Sequence, residues 1–194
     1  RMQHEVTRNG RPVYAAMINA LASDPRRNAV LASHVARLAR AGRNVLVLSE
    51  RIAQLDDLRA RMVSSEGVDA ECIGTYTGPS TPSERERCAR CAVMLSTYQM
   101  AREGLDQKHL NALCLASPTS DLTQAVGRVQ RQSGRERQGP PPLVLDACDT
   151  YSLFQNQARK RRRFYRDSGF TVQKWTLSAG VAKDESGAAV ALFA

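Results

Sequence analysis

Four short runs constrain this chain more than anything else in it: Asn44-Val45-Leu46-Val47-Leu48-Ser49, Ala92-Val93-Met94-Leu95-Ser96, Ala112-Leu113-Cys114-Leu115-Ala116 and Leu143-Val144-Leu145-Asp146. A strand covered on one face alternates apolar with polar residues. A run that is apolar at nearly every position needs cover on both faces. A weaker strand is expected over Val68 to Thr75. Between the runs lie segments of helical period: Tyr14 to Leu21, Arg26 to Ala41, Arg51 to Met62, Pro82 to Cys88, Gln99 to Glu103, Asp121 to Gln130 and Tyr151 to Asp167. Strand alternating with helix predicts parallel βαβ units, hence an α/β three-layer sandwich with a mainly parallel sheet and helices on both faces. Phe170 to Leu177 reads as an edge strand.

The chain has 194 residues, enough for one domain with a sizeable core. Its 28 Lys and Arg against 19 Asp and Glu give a net charge of +9, which favours a polyanionic partner. The aromatic share is only 5%, too low for a base-stacking platform as the main mode of binding. Five cysteines, an odd number, argue against a disulfide framework and for a reducing intracellular compartment: cytoplasm, nucleus or virion. No apolar run reaches membrane-spanning length and no secretory signal is visible, so no membrane partner is expected. The opening Arg1-Met2 suggests a piece of a longer protein.

In parallel sheets ligands sit beyond the carboxyl ends of the strands. The segments after Ser49, Ser96, Ala116 and Asp146 are therefore expected to share one edge. Ser96-Thr97 leaves the end of a strand with hydroxyls suited to phosphate oxygens. It runs on into Glu103-Gly104-Leu105-Asp106, where Gly104 permits an unusual backbone conformation and Asp106 can accept from a ribose hydroxyl. Gln124-Ala125-Val126-Gly127-Arg128-Val129-Gln130-Arg131 places Arg128 and Arg131 one helical turn apart, with Gln124 a turn earlier on the same face. Two guanidiniums held beside an amide suit a phosphate chain, and Gly127 leaves room for a close backbone approach. The plainer alternatives are a solvated amphipathic helix and an ordinary capped loop.

The order of these segments carries a resemblance. An apolar strand ends in Ser49-Glu50-Arg51. Tyr76-Thr77-Gly78 follows, then Ser96-Thr97 through Asp106, then Gln124-x-x-Gly127-Arg128-x-x-Arg131. This resembles motifs IV, V and VI of the second RecA-like motor domain of superfamily 2 helicases. Val144-Leu145-Asp146, Tyr151-Ser152-Leu153-Phe154, Arg163-Phe164-Tyr165 and Gly169-Phe170 are similar to DEAD/DEAH-like helicases of large DNA viruses and phages, the group of the poxvirus transcript-release helicase. The likeness covers about residues 24 to 175.

The resemblance implies a helicase C-terminal RecA-like domain over residues 27–177. A segment over 1–26 would lead from a first motor domain, and 178–194 would be a flexible tail. It implies that Arg131 is the arginine finger reaching the γ-phosphate, with Arg128 and Gln124 at the same cleft. Gly104 and Asp106 would lie against the ribose, and Thr97, Ser49 and Arg51 would hold a DNA or RNA backbone. The implied cofactors are ATP and Mg²⁺, bound mainly by an N-terminal RecA-like domain of the same protein. No Gly-x-x-x-x-Gly-Lys-Ser/Thr loop and no Asp-Glu-x-His-type acidic pair occur in these residues. The chain alone is therefore expected to hydrolyse no ATP. The rival reading is a helicase-like module that binds nucleic acid or protein and drives nothing.

Other signals are weaker. Arg159-Lys160-Arg161-Arg162-Arg163, with Arg166, makes one side of a long helix densely basic, either tracking phosphates or simply solvated. Residues 133–142 read as a loop. Cys88-Ala89-Arg90-Cys91 has zinc or redox spacing but no second pair, so buried free thiols are expected. His4, His34 and His109 are scattered and suggest no metal. Trp175 is expected to pack the last strand on the core.

Overall fold

The expected runs assemble into one five-stranded, all-parallel sheet. The computed structural model describes residues 7–9, 11–104, 107, 109–122, 125–127, 141–178 and 181–184. In chain order the elements are β1 (Thr7–Arg8), β2 (Arg11–Pro12), α1 (Tyr14–Ala22), α2 (Pro25–Arg40), β3 (Val45–Ser49) and α3 (Ile52–Ser64). They continue with β4 (Ile73–Tyr76), α4 (Pro82–Cys88), β5 (Val93–Thr97), α5 (Tyr98–Gly104), β6 (Ala112–Leu115), β7 (Leu143–Asp146), α6 (Ser152–Asp167), β8 (Trp175–Ser178) and β9 (Val181–Asp184). The sheet order is β4-β5-β3-β6-β7. From β3 the chain moves to one side of the sheet, and from β6 to the other. The crevice at the β3 and β6 carboxyl ends is the switch point where such sheets bind ligands.

Alternate residues of the central strands feed opposite faces. Val45, Val47, Val93, Leu95, Ala112 and Cys114 meet α2 and α3 through Leu31, Val35, Leu55, Leu58 and Met62. Leu46, Leu48, Met94, Leu113 and Leu115 meet the other layer, which includes Cys88, Tyr98, Ala101, Val126 and Tyr165. A third cluster packs Met17, Ile18 and Leu21 of α1 on Tyr151 and Phe154 at the start of α6.

Local signals set the boundaries. Asp24 accepts the Arg26 and Arg27 amides and Pro25 opens α2. Gly42, with φ 75°, closes it. Its amide reaches Ala39 O, and Arg43 N reaches Leu38 O. That is the Schellman pattern, which Gly169 repeats at the end of α6. There Tyr165 and Phe170 pack with ring centroids 5.8 Å apart, the apolar contact that accompanies such a cap. Gly74 is required by close approach: a Cβ there would lie 2.5 Å from Cys88 Cα, so α4 rests directly on β4.

Two expectations need correction. The strand expected from Val68 begins only at Ile73, because Asp69 accepts the Glu71 amide and winds residues 70–72 into a 3₁₀ turn. Phe170 to Leu177 is not an edge strand of the main sheet: residues 170–174 form no strand, and β8 pairs antiparallel with β9 in a separate ribbon. Gly127 is exposed, and among the described residues a Cβ there would meet nothing within 4 Å, so the space beside it is open. Of residues 121–130, where a helix is expected, the described residues 121 and 122 are not helical and 125–127 are.

Candidate nucleic-acid interface at the carboxyl edge of the sheet

Ser49 and Thr97 are register partners, the last residues of the adjacent strands β3 and β5. Beyond them opens a cleft of about 500 Å³. Its lining comes from four strand ends: Glu50, Arg51 and Ile52 after β3, Gly78 after β4, Thr97 to Met100 and Arg102 around α5, and Thr119 after β6.

The two register partners have different roles. Ser49 is fully buried. Its Oγ donates to Gln54 Oε1 at 2.7 Å and accepts the Arg51 amide at 3.0 Å. Both capacities serve the β3–α3 turn, so Ser49 fixes the turn on which Arg51 stands. Thr97 is half-buried and lines the cleft. Its Oγ1 accepts the Met100 amide at 3.3 Å, which leaves its hydroxyl hydrogen for a ligand acceptor.

Arg51 is held from the side. Its Nε donates to Asn19 Oδ1 at 2.8 Å and its Nη1 to Glu50 O at 3.2 Å, while Tyr14 Oη donates to Glu50 Oε1 at 2.6 Å. Helix α1 thus braces both cleft residues. Burial, and then the hydrogen bond to Glu50, pushes the Tyr14 hydroxyl up to about 12. No side chain caps α3, whose first residue, Ile52, lines the cleft. Its unsatisfied amides and dipole leave that rim favourable to anions.

Behind the rim the strand ends are tied together. Ser117 Oγ accepts the Glu50 amide at 2.8 Å and Ser117 O accepts the Tyr98 hydroxyl at 2.6 Å. Gln54 Nε2 donates to Asn28 Oδ1 and to Ala116 O, and Asn28 Nδ2 donates to Asp57 and Ala22 O. Arg27 makes a two-point pair with Asp149 at 2.8 and 2.9 Å and also reaches Ala116 O. Arg161, 1% exposed, pairs at two points with Asp146 at 2.8 Å and donates to Thr119 O at 2.8 Å. Burial alone would lower the Arg161 pKa, but the hydrogen bonds and charge of Asp146 hold it above the usual value. Tyr165 completes the group, donating to Asp146 at 3.1 Å. Burial and the Asp146 charge raise its pKa.

No family model matches the chain. It is 30% identical over 169 residues to "Putative ATP-dependent RNA helicase L396" of Acanthamoeba polyphaga mimivirus, covering 87% of this chain and 32% of that protein. It is 25% identical over 138 residues to "Putative ATP-dependent RNA helicase QP509L" of African swine fever virus, covering 69% of this chain and 27% of the relative. Among solved structures it resembles T4 UvsW, with a TM-score of 0.63 at 19% identity over 84% of this chain and 36% of that one. The chain has a RecA-like fold and resembles helicases of large DNA viruses. It spans about a third of the length of the curated relatives it matches.

The domain brings Arg51 and Thr97 to one cleft, with Ser49 beneath them. Gly104 ends α5 on the same segment as Thr97. Gln124, Arg128, Arg131 and Asp106 lie outside the described residues. Among the described residues no group of three or more His, Cys, Asp or Glu side chains is placed to hold a metal ion, so Mg²⁺ is assigned to none of them. Cys88, Cys91 and Cys114 are the buried free thiols expected, whereas Cys72 and Cys148 are exposed. His34 and His109 each leave a buried ring nitrogen without a partner. No described helix is long and apolar enough to cross a membrane. The side chain of Trp175 and most of the 133–142 loop also fall outside the described part of the chain.

Sequence reasoning missed Arg161, Asn28 and Gln54. Arg161 sits in the stripe Phe154, Ala158, Arg161, Tyr165, spaced by four, three and four residues like any buried helix face. A cation in such a stripe is the available sign of an internal partner.

Proposed function

We propose that this helicase domain is the second motor domain of an ATP-dependent superfamily 2 helicase or translocase. One observation carries the reading: the cleft at the strand carboxyl ends, where a Thr97 hydroxyl with a hydrogen to donate faces Arg51 and the uncapped start of α3. These groups suit the phosphates of a DNA or RNA strand and carry no base readout. The mimivirus and African swine fever virus relatives are named as ATP-dependent RNA helicases, which favours an ATP-driven role.

In this reading a first RecA-like domain of the same protein holds most of the ATP and its Mg²⁺. Arg131 reaches the γ-phosphate as an arginine finger, Arg128 and Gln124 stand beside it, and Gly104 and Asp106 meet the ribose. Closing and opening of the interdomain cleft then moves two backbone grips relative to one another. Such fingers contribute ~10³–10⁵ in rate in other nucleotide hydrolases. In the full-length protein, Arg131→Ala is expected to abolish most nucleic-acid-stimulated ATP hydrolysis while leaving nucleic-acid affinity near wild type. Hydrolysis at the wild-type rate would remove the finger assignment.

A further inference from the structure

Helix α6 carries five basic residues in succession, Arg159 to Arg163, followed by Arg166. Only Arg161 turns inward, to Asp146 and Thr119 O. Arg159, Lys160, Arg162, Arg163 and Arg166 are all exposed. Among the described residues their one carboxylate partner is Asp167, 3.7 Å from Arg163 and itself 69% exposed. Arg162 and Arg163 each lie three or four residues from both Arg159 and Arg166, so like charges adjoin along one face and destabilise the helix on its own. Arg166 alone lies in the last turn, where the helix dipole favours a cation. Arg159, Lys160 and Arg162 have no carboxylate partner among the described residues and stand in solvent, open to a polyanion.

The stripe also has a fixed place. Arg161 bonds the last residue of β7 and a residue that lines the cleft, so the neighbouring turns of α6 stand at the carboxyl edge of the sheet. From Arg159 to Arg166 the helix rises about 10 Å, comparable to three steps of a nucleic-acid strand at ~3.4 Å each.

We propose that the outer face of α6 is a second phosphate-backbone contact, taking the strand as it leaves the cleft past Thr119. The buried Arg161 holds it in line with the first contact. This rests on the reading of the cleft as a nucleic-acid grip. The partner is a nucleic-acid backbone without base preference, recognised by charge.

The test uses the full-length protein with Arg159, Arg162 and Arg166 all changed to Gln, and a fluorescent single-stranded oligonucleotide titrated across a salt series. The slope of log affinity against log salt should become shallower by about 2, at ~0.7 for each phosphate no longer neutralised. The triple Arg→Lys variant should restore it. Arg162→Gln alone should lose about 0.7, which covers the case in which the triple variant misfolds. An unchanged slope in the Gln variants, or no rescue by Lys, overturns the proposal. Thr97→Ala separates the two readings. If Thr97→Ala weakens binding while the α6 variants keep the wild-type slope, this inference alone falls. If the α6 variants lose slope while Thr97→Ala binds as wild type, the cleft grip falls. Failure of the wild-type protein to bind any oligonucleotide overturns both.

Discussion

The two halves of the carboxyl edge are held by different chemistry. On the β3 side the buried ties run through neutral groups: Ser49 to Gln54, and Gln54 to Asn28 and Ala116 O. On the β6–β7 side they are two buried two-point ion pairs, Arg27 with Asp149 and Arg161 with Asp146. A neutral network is the sum of modest bonds. An ion pair out of water is nearly balanced while whole and costly once halved, because the remaining charge has no solvent. The side that bears the cleft arginine is thus built from replaceable bonds, and the side that anchors α6 from commitments that fail all at once.

The sharpest way to break this contrast is to halve a pair. Arg161→Ala leaves Asp146 buried against Tyr165 and should lower stability by ~3–5 kcal/mol, read as a shift in the denaturant midpoint. Arg161→Met with Asp146→Leu removes both charges and should recover most of that loss. A double variant no more stable than Arg161→Ala would mean that packing, not the stranded charge, sets the cost. The exposed neighbour Arg162→Ala should change stability by no more than ~0.5 kcal/mol.

Gln54→Leu asks the same question of the neutral side. It strands the Ser49 hydroxyl, Asn28 Oδ1 and one bond to Ala116 O, all buried, and should cost about 1–3 kcal/mol. This is less than the halved ion pair, because no full charge is left. A loss equal to that of Arg161→Ala would erase the distinction between the two halves.

What was legible follows the same division. The parallel sheet and its order of elements came from unbroken apolar runs, since only cover on both faces tolerates them. The Asp24-Pro25 start and Gly42 stop of α2 are set by caps that act within a few residues. Thr97 and Arg51 came from a rule about strand ends, combined with a family pattern. The ties behind them were less legible because their partners are remote in sequence: Arg27 meets Asp149 122 residues away, and Arg161 meets Thr119 42 residues away. A basic run looks solvated until one member is seen to fall on the buried stripe. The β8 ribbon was misassigned for a related reason, since a strand's sequence marks it as a strand without naming its neighbour.

A smaller effect than either broken network concerns the brace between α1 and the cleft. Tyr14→Phe removes one hydrogen bond to Glu50 while keeping the ring against Phe154, 5.6 Å between centroids. A loss of about 1 kcal/mol is expected. The pH dependence carries the sharper signature. The folded state raises the Tyr14 pKa from 10.0 to about 12, so the unfolded chain releases this proton first. The stabilisation from this group is complete below pH 10 and is lost as pH rises toward about 12. Tyr14→Phe should therefore flatten the alkaline limb of the stability curve and leave the neutral range displaced by a constant amount. On the ion-pair side, Arg161 stays charged throughout that window, so Arg161→Met with Asp146→Leu should keep the wild-type Tyr14 contribution to the limb. An unchanged alkaline limb in Tyr14→Phe would mean that neither the burial of Tyr14 nor its contact with Glu50 persists in solution.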